Sequence, residues 1–593
     1  MVTEGLAQLR VQELRRGPDD PAPGVPRDGV DPGKWVPDDL GLPPDCPVRP
    51  LGMDGDVVFF IDANGQLQST SPSSFGQGFV QMLFGDRQNY LYWAWPRIGK
   101  NEKVDGWRAE KVREHFYAAA SRKGLWKSVE KVRGLGAWPG RNGELILHCG
   151  EGLYIDGKLH PTGERDGHFY PRRPTTFFPS AEPVPLEENP AHDVLAALRT
   201  WTWGRPDVDP VLILGWIGVA LLAGALPWRP SMFLVGDRGT GKSSLQAVLK
   251  AIFGSAIVST PDTTPAGIYQ HIGSDALPIA VDELEADGDN KRVNAVVKLA
   301  RLAASGGLML RGGQDHQGIE FQARSTFLFS AINRPPLPAQ DLSRLALINL
   351  GKLDPAKLTS APTLGDADTI GPRLLRRMAD AWGDFDKLYE EYRTAMRSGG
   401  HDSRGQDTYG IFLTCAHMML GDEGLDHEGL PFYGLEVWGH TLAAGSLQEV
   451  EDAQDNWQSC LQHLLTSRVD AWRNGQRQTV GALLDAMHDQ VEGLTFSGCQ
   501  AELAQAGLGL LAPGTIAPGY VLAVPNSGPL IASLFKGTPW GGEGHLGVWG
   551  PALRQGPPNV VVSEKGKNRA RINGVQLRCT MIVLDEWNAL NDT

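Results

Sequence analysis

Cysteine is scarce in this chain. Six are spread over 593 residues, Cys46, Cys149, Cys415, Cys460, Cys499 and Cys579, with no CxxC pair and no histidine pair at zinc spacing. That distribution argues against a zinc ribbon and against a disulfide-built scaffold. Positive charge is also short. Lys and Arg number 56 against 69 Asp and Glu, a formal net charge of −13. A global basic field is therefore absent, and any nucleic acid must be met by a local patch or a lined channel. No internal repeat and no heptad run is present. The opening residues MVTEGLAQLRVQELRR lack an apolar signal core, so a cytoplasmic protein is expected. Long uncharged runs are nearly absent as well. The exception is Val211 to Trp228 (VLILGWIGVALLAGALPW), eighteen residues without a charge. That length touches the lower limit for a membrane span. An apolar strand follows within a few residues and needs a sheet around it, so the run is read as a helix buried beside that sheet, with no membrane partner.

Gly (72) and Pro (42) are plentiful, so turns are frequent, and the chain is too long for one core. Composition divides it. Residues 1–49 turn Pro-, Gly- and Asp-rich and are expected to be a flexible arm. Residues 50–160 mix signals: DVVFFID suggests a strand, VREHFYAAASRKGLW a helix, and ELILHCGEGLYIDGK a hairpin. This is expected to be an α+β domain. Residues 161–191 read as a linker. From 192 to 400 helices alternate with apolar strands, an α/β signature. Residues 405–593 read as an α+β region. There Thr479 can cap a helix, a second helix and a strand follow in an order compatible with a winged helix, and a β-rich tail lies beyond 555.

The strongest motif is Gly236-Asp237-Arg238-Gly239-Thr240-Gly241-Lys242-Ser243, which fits GxxxxGK[ST] in full. An apolar strand, SMFLV, precedes it, and a helical stretch beginning Ser243-Ser244 follows, the setting this motif requires. Glycines let backbone N–H groups curl toward phosphates, and the helix start adds partial positive charge. Lys242 is expected to reach the β- and γ-phosphates of ATP, and Ser243 to ligate Mg²⁺. About forty residues on, Leu277-Pro278-Ile279-Ala280-Val281 runs into Asp282-Glu283. Asp282 is expected to hold Mg²⁺ and Glu283 to activate the attacking water. A further strand, Ser325 to Ile332, ends in Asn333, whose side chain can orient that water. Past it come Asp341-Leu342-Ser343-Arg344 and another apolar strand. An Arg at this point can reach across a subunit boundary to a neighbour's γ-phosphate. Arg373, Arg376 and Arg377 lie on a later helical stretch, where one of them can sense nucleotide.

This order of P-loop, Asp-Glu, Asn and Ser-Arg resembles the AAA+ ATPases. The short gap between the first two motifs resembles superfamily 3 helicases and related phage and plasmid replication ATPases. The likeness covers about residues 192–385 and implies an AAA+ P-loop NTPase core flanked by other domains. It implies a homo-oligomeric ring, such as a hexamer, acting on single-stranded or forked DNA beside a separate primase or polymerase. It further implies that the hairpin LMLRGGQDHQGIEFQAR points into the ring channel, where Arg311, Gln314 and His316 would meet DNA phosphates. The N-terminal region shows no paired-carboxylate polymerase strand and no zinc ribbon.

Elsewhere, residues 97–141 carry twelve Lys and Arg against five acids, with Trp95, Trp107, Phe116, Tyr117, Trp126 and Trp138 in or beside them. Such interleaving suits single strands, where bases stack and phosphates pair. It equally suits a core of aromatics coated by charge. A smaller run, Lys565, Lys567, Arg569 and Arg571 with Arg578, lies in an expected hairpin. The expectation is therefore a DNA helicase or translocase driven by ATP hydrolysis. The rival is an AAA+ loader or switch that remodels a DNA-bound partner without unwinding.

Overall fold

The computed structural model describes residues 20–591, apart from 262, 285–290, 313–317, 333–334, 336, 338, 343, 355–366, 422–455, 474–475, 490–493, 537, 539, 542–546 and 563–565. Two compact units divide the chain, residues 1–446 and 447–593.

The first unit opens with strands β1 (Arg49–Asp54), β2 (Val57–Ile61) and β3 (Leu67–Thr70) in an antiparallel meander. Helices α1 (Gln77–Phe84), α2 (Gln88–Ala94) and α3 (Ala109–Lys123) pack on it, with the short hairpin β4 (Pro96–Ile98) and β5 (Val104–Trp107). Helix α3 stops at Lys123, where Gly124 takes φ +85°, short of the expected Trp126. Residues 20–49, expected as an arm, lie against this core. The guanidinium of Arg27 sits 5.1 Å from the Tyr90 ring and 5.2 Å from that of Trp93. The Tyr90 hydroxyl donates to the carbonyl oxygens of Pro43 and Pro44. Prolines offer free carbonyl acceptors and lose little entropy on ordering, so a Pro-rich segment can be tied down by a few donors. The aromatics of residues 97–141 also turn inward. Phe116 and Trp95 are buried in one core, with Trp107 and Tyr117 packed partly against it, and Trp138 is buried in a separate cluster with Ile146 and Tyr170.

A four-stranded antiparallel sheet follows, β6 (Gly136–Pro139), β7 (Leu145–His148), β8 (Leu153–Ile155) and β9 (Lys158–His160), with the expected hairpin at β7–β8. The stretch 161–191 carries a further hairpin, β10 (Gly163–Arg165) with β11 (His168–Tyr170).

Helices α4 (Pro190–Leu198) and α5 (Asp209–Leu222) then lead into a five-stranded parallel sheet. Its strands are β12 (Ser231–Gly236), β13 (Val258–Thr260), β14 (Ile279–Val281), β17 (Phe327–Ala331) and β18 (Leu345–Leu350), in the order 13-14-17-12-18. Helices α6 (Lys242–Phe253), α7 (Pro265–Ile272) and α8 (Lys291–Ser305) cross between strands. The two strands missing from the series, β15 (Leu308–Gly312) and β16 (Gly318–Gln322), form the separate hairpin expected before β17. Alternate side chains face opposite layers. Met232 and Leu234 join one core with α4, α5 and α6, while Phe233 joins the other with α7 and α8. A mixed α/β fold with a parallel sheet buried on both faces is thus present.

The uncharged run becomes α5, every residue of which is buried. Closing helices α9 (Ala367–Asp380), α10 (Phe385–Ser398) and α11 (Ser403–Leu420) share its core. Side chains at Gly215 and Gly218 would strike Phe412 and Cys415 of α11, so glycine is what admits this close approach. Among the described residues, no helix is long and apolar enough to cross a membrane.

The second unit sets α12 (Asn456–Thr466), α13 (Val480–His488) and α14 (Phe496–Gln505) against an antiparallel sheet. Its strands β21 (Gly509–Leu511), β22 (Val521–Pro525), β25 (Val575–Val583) and β23 (Val561–Val562) pair in that order, and β24 (Arg569–Ile572) pairs with the first part of β25. A small hairpin, β19 (Arg468–Arg473) with β20 (Gln476–Thr479), precedes α13. Thr479 caps α13 as expected, its hydroxyl accepting from the Ala482 amide at 3.1 Å.

One buried histidine in the first unit makes its stability pH-dependent. His148 at the end of β7 is buried, and desolvation pushes its imidazole below the ordinary value of 6.5. Above that value both folded and unfolded forms are neutral there. As pH falls below it the unfolded chain takes the proton first, so stability declines until the lower folded value is reached. We predict a melting temperature that falls between about pH 7 and pH 5, and falls less in His148→Gln. Identical pH profiles for the two chains would contradict this.

Candidate functional site

Strand β12 ends at Gly236, and the chain turns through residues 237–241 before α6 starts at Lys242. Two glycines make the turn: Gly239 at φ +80° and Gly241 at φ +83°, a region that side chains rarely adopt. A Cβ at Gly241 would lie 2.6 Å from the indole nitrogen of Trp201 and 3.0 Å from Leu353. The same indole donates to the Gly241 carbonyl at 3.1 Å. One at Gly236 would lie 2.7 Å from the Thr240 hydroxyl, which in turn donates to the Asp237 carbonyl at 2.9 Å. Residue size and backbone angle are therefore both fixed here. The result is a concave loop at a helix start, a form that holds anionic oxygens on backbone amides.

Lys242 folds back over the loop, donating to the carbonyls of Gly236 and Asp237. No carboxylate among the described residues pairs with it. A cation held only by neutral carbonyls is a ready partner for an anion. Ser243 and Ser244 follow on the first turn of α6, both exposed, and Arg238 is exposed on the loop.

The acidic pair lies at the same edge of the sheet. Val235 of β12 pairs with Ala331 of β17, and Val281 of β14 with Phe329. Asp282 and Gly236 thus stand two strands apart, roughly 10 Å across the sheet. Asp282 is half-buried and accepts from the Ser330 hydroxyl of the intervening strand and from the Glu283 amide. Both bonds use Oδ1, so Oδ2 stays available for a cation. Glu283 is exposed and adopts φ +54°, unusual for a residue with a side chain. Its neighbours pin it there: the Asp282 amide donates to Thr260 at 3.0 Å and the Leu284 amide to Ser330 at 2.8 Å. Two adjacent strands thus hold the backbone in a sparsely populated region.

Arg344 lies elsewhere. Leu345 pairs with Ser231, so Arg344 stands beside the beginning of β12, while the loop follows its end. Five residue steps separate the two, roughly 17 Å. The guanidinium rests 5.7 Å from the Trp228 ring, near the Arg301–Asp341 ion pair, and its Nε has no hydrogen bond. Within one chain Arg344 cannot meet the loop. Arg373, Arg376 and Arg377 are already engaged. They donate to Glu188, to Asp380 with the Ser180 and Ala181 carbonyls, and to Met419, respectively. Asn333, Gln314 and His316 lie outside the described residues. Arg311 is on β15, and the description stops at its backbone.

Two positioning residues escaped the sequence. Ser330 was visible as a lone hydroxyl inside FLFSAIN, a signal that went unused. Trp201 precedes the loop by forty residues and carries no local signal.

No family model matches the chain, and no curated protein matches it. Solved structures do. "The A form apo structure of NrS-1 C terminal region-CTR" is 12% identical, covers 90% of this chain and 96% of its own, and gives a TM-score of 0.31. A second A-form apo structure of the same region is 11% identical over 90% and 96%, with a TM-score of 0.32. A third, an apo structure, is 11% identical over 75% and 95%, with a TM-score of 0.28. Likeness this loose carries no argument about what the chain does.

The loop geometry makes a prediction about Gly241. Gly241→Ala must move Trp201 or the loop, whereas Gly239→Ala meets no neighbour within 4 Å and pays only for its backbone angle. We expect Gly241→Ala to lower the melting temperature by clearly more than Gly239→Ala does. Equal melting temperatures would refute the clash.

Proposed function

We propose that this chain is a P-loop ATPase of the AAA+ kind, a DNA helicase or translocase of phage, prophage or plasmid replication. One observation carries the reading: the glycine loop, with Lys242 bonded to its carbonyls and to no described carboxylate, shares one sheet edge with Asp282 and Glu283. An amide-lined pocket, a cation and two carboxylates are what a triphosphate, its metal and an attacking water need together.

ATP and Mg²⁺ fit the residues present. The phosphates suit the amides of residues 236–243, with Lys242 turning from the carbonyls to the β- and γ-oxygens. Ser243 and the free Oδ2 of Asp282 would hold Mg²⁺, which when bound neutralises charge on the phosphate oxygens. Ser330 fixes the Asp282 carboxylate by hydrogen bonding to its other oxygen. Glu283 accepts the proton of the water that attacks the γ-phosphorus.

The distance between Arg344 and its own loop supports a shared site. A guanidinium roughly 17 Å from the loop of its own chain can act in this chemistry only from another copy, in which it would stabilise the charge that develops on transfer. A ring of identical subunits places one such edge against the next.

Lys242→Ala should abolish ATP hydrolysis. Glu283→Gln should bind ATP but turn it over about a hundredfold or more slowly. Single-stranded DNA should stimulate the wild-type rate, and a forked duplex should be unwound. Hydrolysis at the wild-type rate after either substitution would sink the assignment, and stimulation without unwinding would leave the loader reading. Arg344→Ala should cost roughly a thousandfold in turnover. Mixing Arg344→Ala with Lys242→Ala subunits should restore part of it, since each supplies what the other lacks. Failure of the mixture to regain activity would refute action between subunits.

A further inference from the structure

A second concavity opens at the other edge of the parallel sheet. Its volume is about 920 Å³, and it lies between residues 128–173, helices α7 and α8, and the foot of hairpin β15–β16. Ser274 and Arg324 on its wall come just before β14 and β17 begin, whereas the glycine loop follows the end of β12. The two sites therefore do not overlap.

Its wall is electrically one-sided. Arg133, Arg173, Lys298 and Arg324 face it against a single carboxylate, Glu130. Among the described residues none of the four cations is ion-paired. Two are set in place by an aromatic platform: Arg324 and Arg133 hold their guanidinium carbons 5.8 and 5.6 Å from the Trp138 ring centre. Arg133 is steadied further by the Pro139 carbonyl at 2.7 Å and the Tyr170 hydroxyl at 2.9 Å. The crowding has a cost. Burial, with Arg133 nearby, pushes the Arg324 guanidinium below its ordinary range, and burial with Arg324 nearby pushes Arg229 behind it down to about 9. Like charges that outnumber the acids around open space, here Glu130 on the wall and Asp275 near Arg173, are relieved by an anion that enters it.

The remaining wall favours an anion that carries a ring. Tyr269 and Phe321 line the cavity as an edge-to-face pair with centres 4.3 Å apart. The volume falls in the range of small-molecule sites and exceeds what a bare phosphate needs. Cations that grip phosphate beside aromatics that take a base are the elements of nucleotide recognition.

We propose that this cavity is a second nucleotide-binding site, with phosphate held among Arg133, Arg324, Arg173 and Lys298 and the base against Tyr269 and Phe321. The occupant is either a free nucleotide or one residue of a single strand. Phe321 and Gln322 belong to β16, and Gln322 also donates to the Gly306 carbonyl at 2.6 Å before β15. The foot of the hairpin is thereby part of the cavity wall.

The test uses the full chain carrying Lys242→Ala, so that the glycine loop is equally impaired in every sample and hydrolysis is not the readout. Binding of dTMP and of a long oligo(dT) is measured without ATP, before and after adding Arg173→Glu with Lys298→Glu. Both positions are exposed, so folding should persist, and melting curves check it. A second chain carries Arg324→Gln, and a third the charge-keeping pair Arg173→Lys with Lys298→Arg. The parent chain should bind at least one probe, the charge-reversed and Arg324→Gln chains roughly tenfold more weakly, and the charge-keeping chain nearly as well. Loss of dTMP binding identifies a free nucleotide as occupant; loss confined to oligo(dT) identifies a strand. Binding of neither probe by the parent, or equal binding by all chains, overturns the proposal. Neither result would touch the ATPase reading, which rests on hydrolysis with Lys242 intact.

Discussion

A strand can be followed by a parallel neighbour only if the chain returns across a face of the sheet. Every strand of such a sheet then ends at the same edge, and the placement of the candidate site depends on that constraint. The glycine loop after β12 and the carboxylates after β14 are distant in sequence, yet β17 paired to both strands holds them within two strand widths. The same constraint separates groups of residues. Residues that come just before strands, such as Arg324 and Arg344, fall at the opposite edge. One edge gathers amides, a lysine and acids; the other gathers arginines.

Much of this was legible because the informative signals are local. GxxxxGK[ST] between an apolar strand and a helix specifies a loop by itself, since the glycines answer to backbone angles and the lysine to its place on the first helical turn. An apolar run ending in Asp-Glu likewise announces a buried strand with an acidic tip. The uncharged run of α5 was also readable, because a sheet that begins a few residues later needs a cover.

What escaped was long-range or dependent on facing. Trp201 acts on Gly241 through space, and no pattern near either residue says so. Ser330 looked like one more strand residue until β14 was known to lie beside it. Interleaved aromatics and cations at 97–141 could not reveal that Phe116 and Trp95 point inward, because alternation along a chain does not fix which face is wet. The Pro-rich stretch 20–49 has the composition of an arm, but the donors that hold it, Tyr90 and Trp35 among them, lie elsewhere in the sequence or act across it. The arginines of α9 seemed free to sense nucleotide, yet nearby carboxylates and carbonyls already hold them.

The grip on Gly241 comes from two directions. Trp201 stands just after α4, upstream of the sheet, and Leu353 just after β18, downstream of it. The loop is therefore a rivet through three parts of the chain. If its shape alters with what it holds, the displacement is delivered at once to the helices entering the sheet and to the segment leaving it, with no hinge or added relay required.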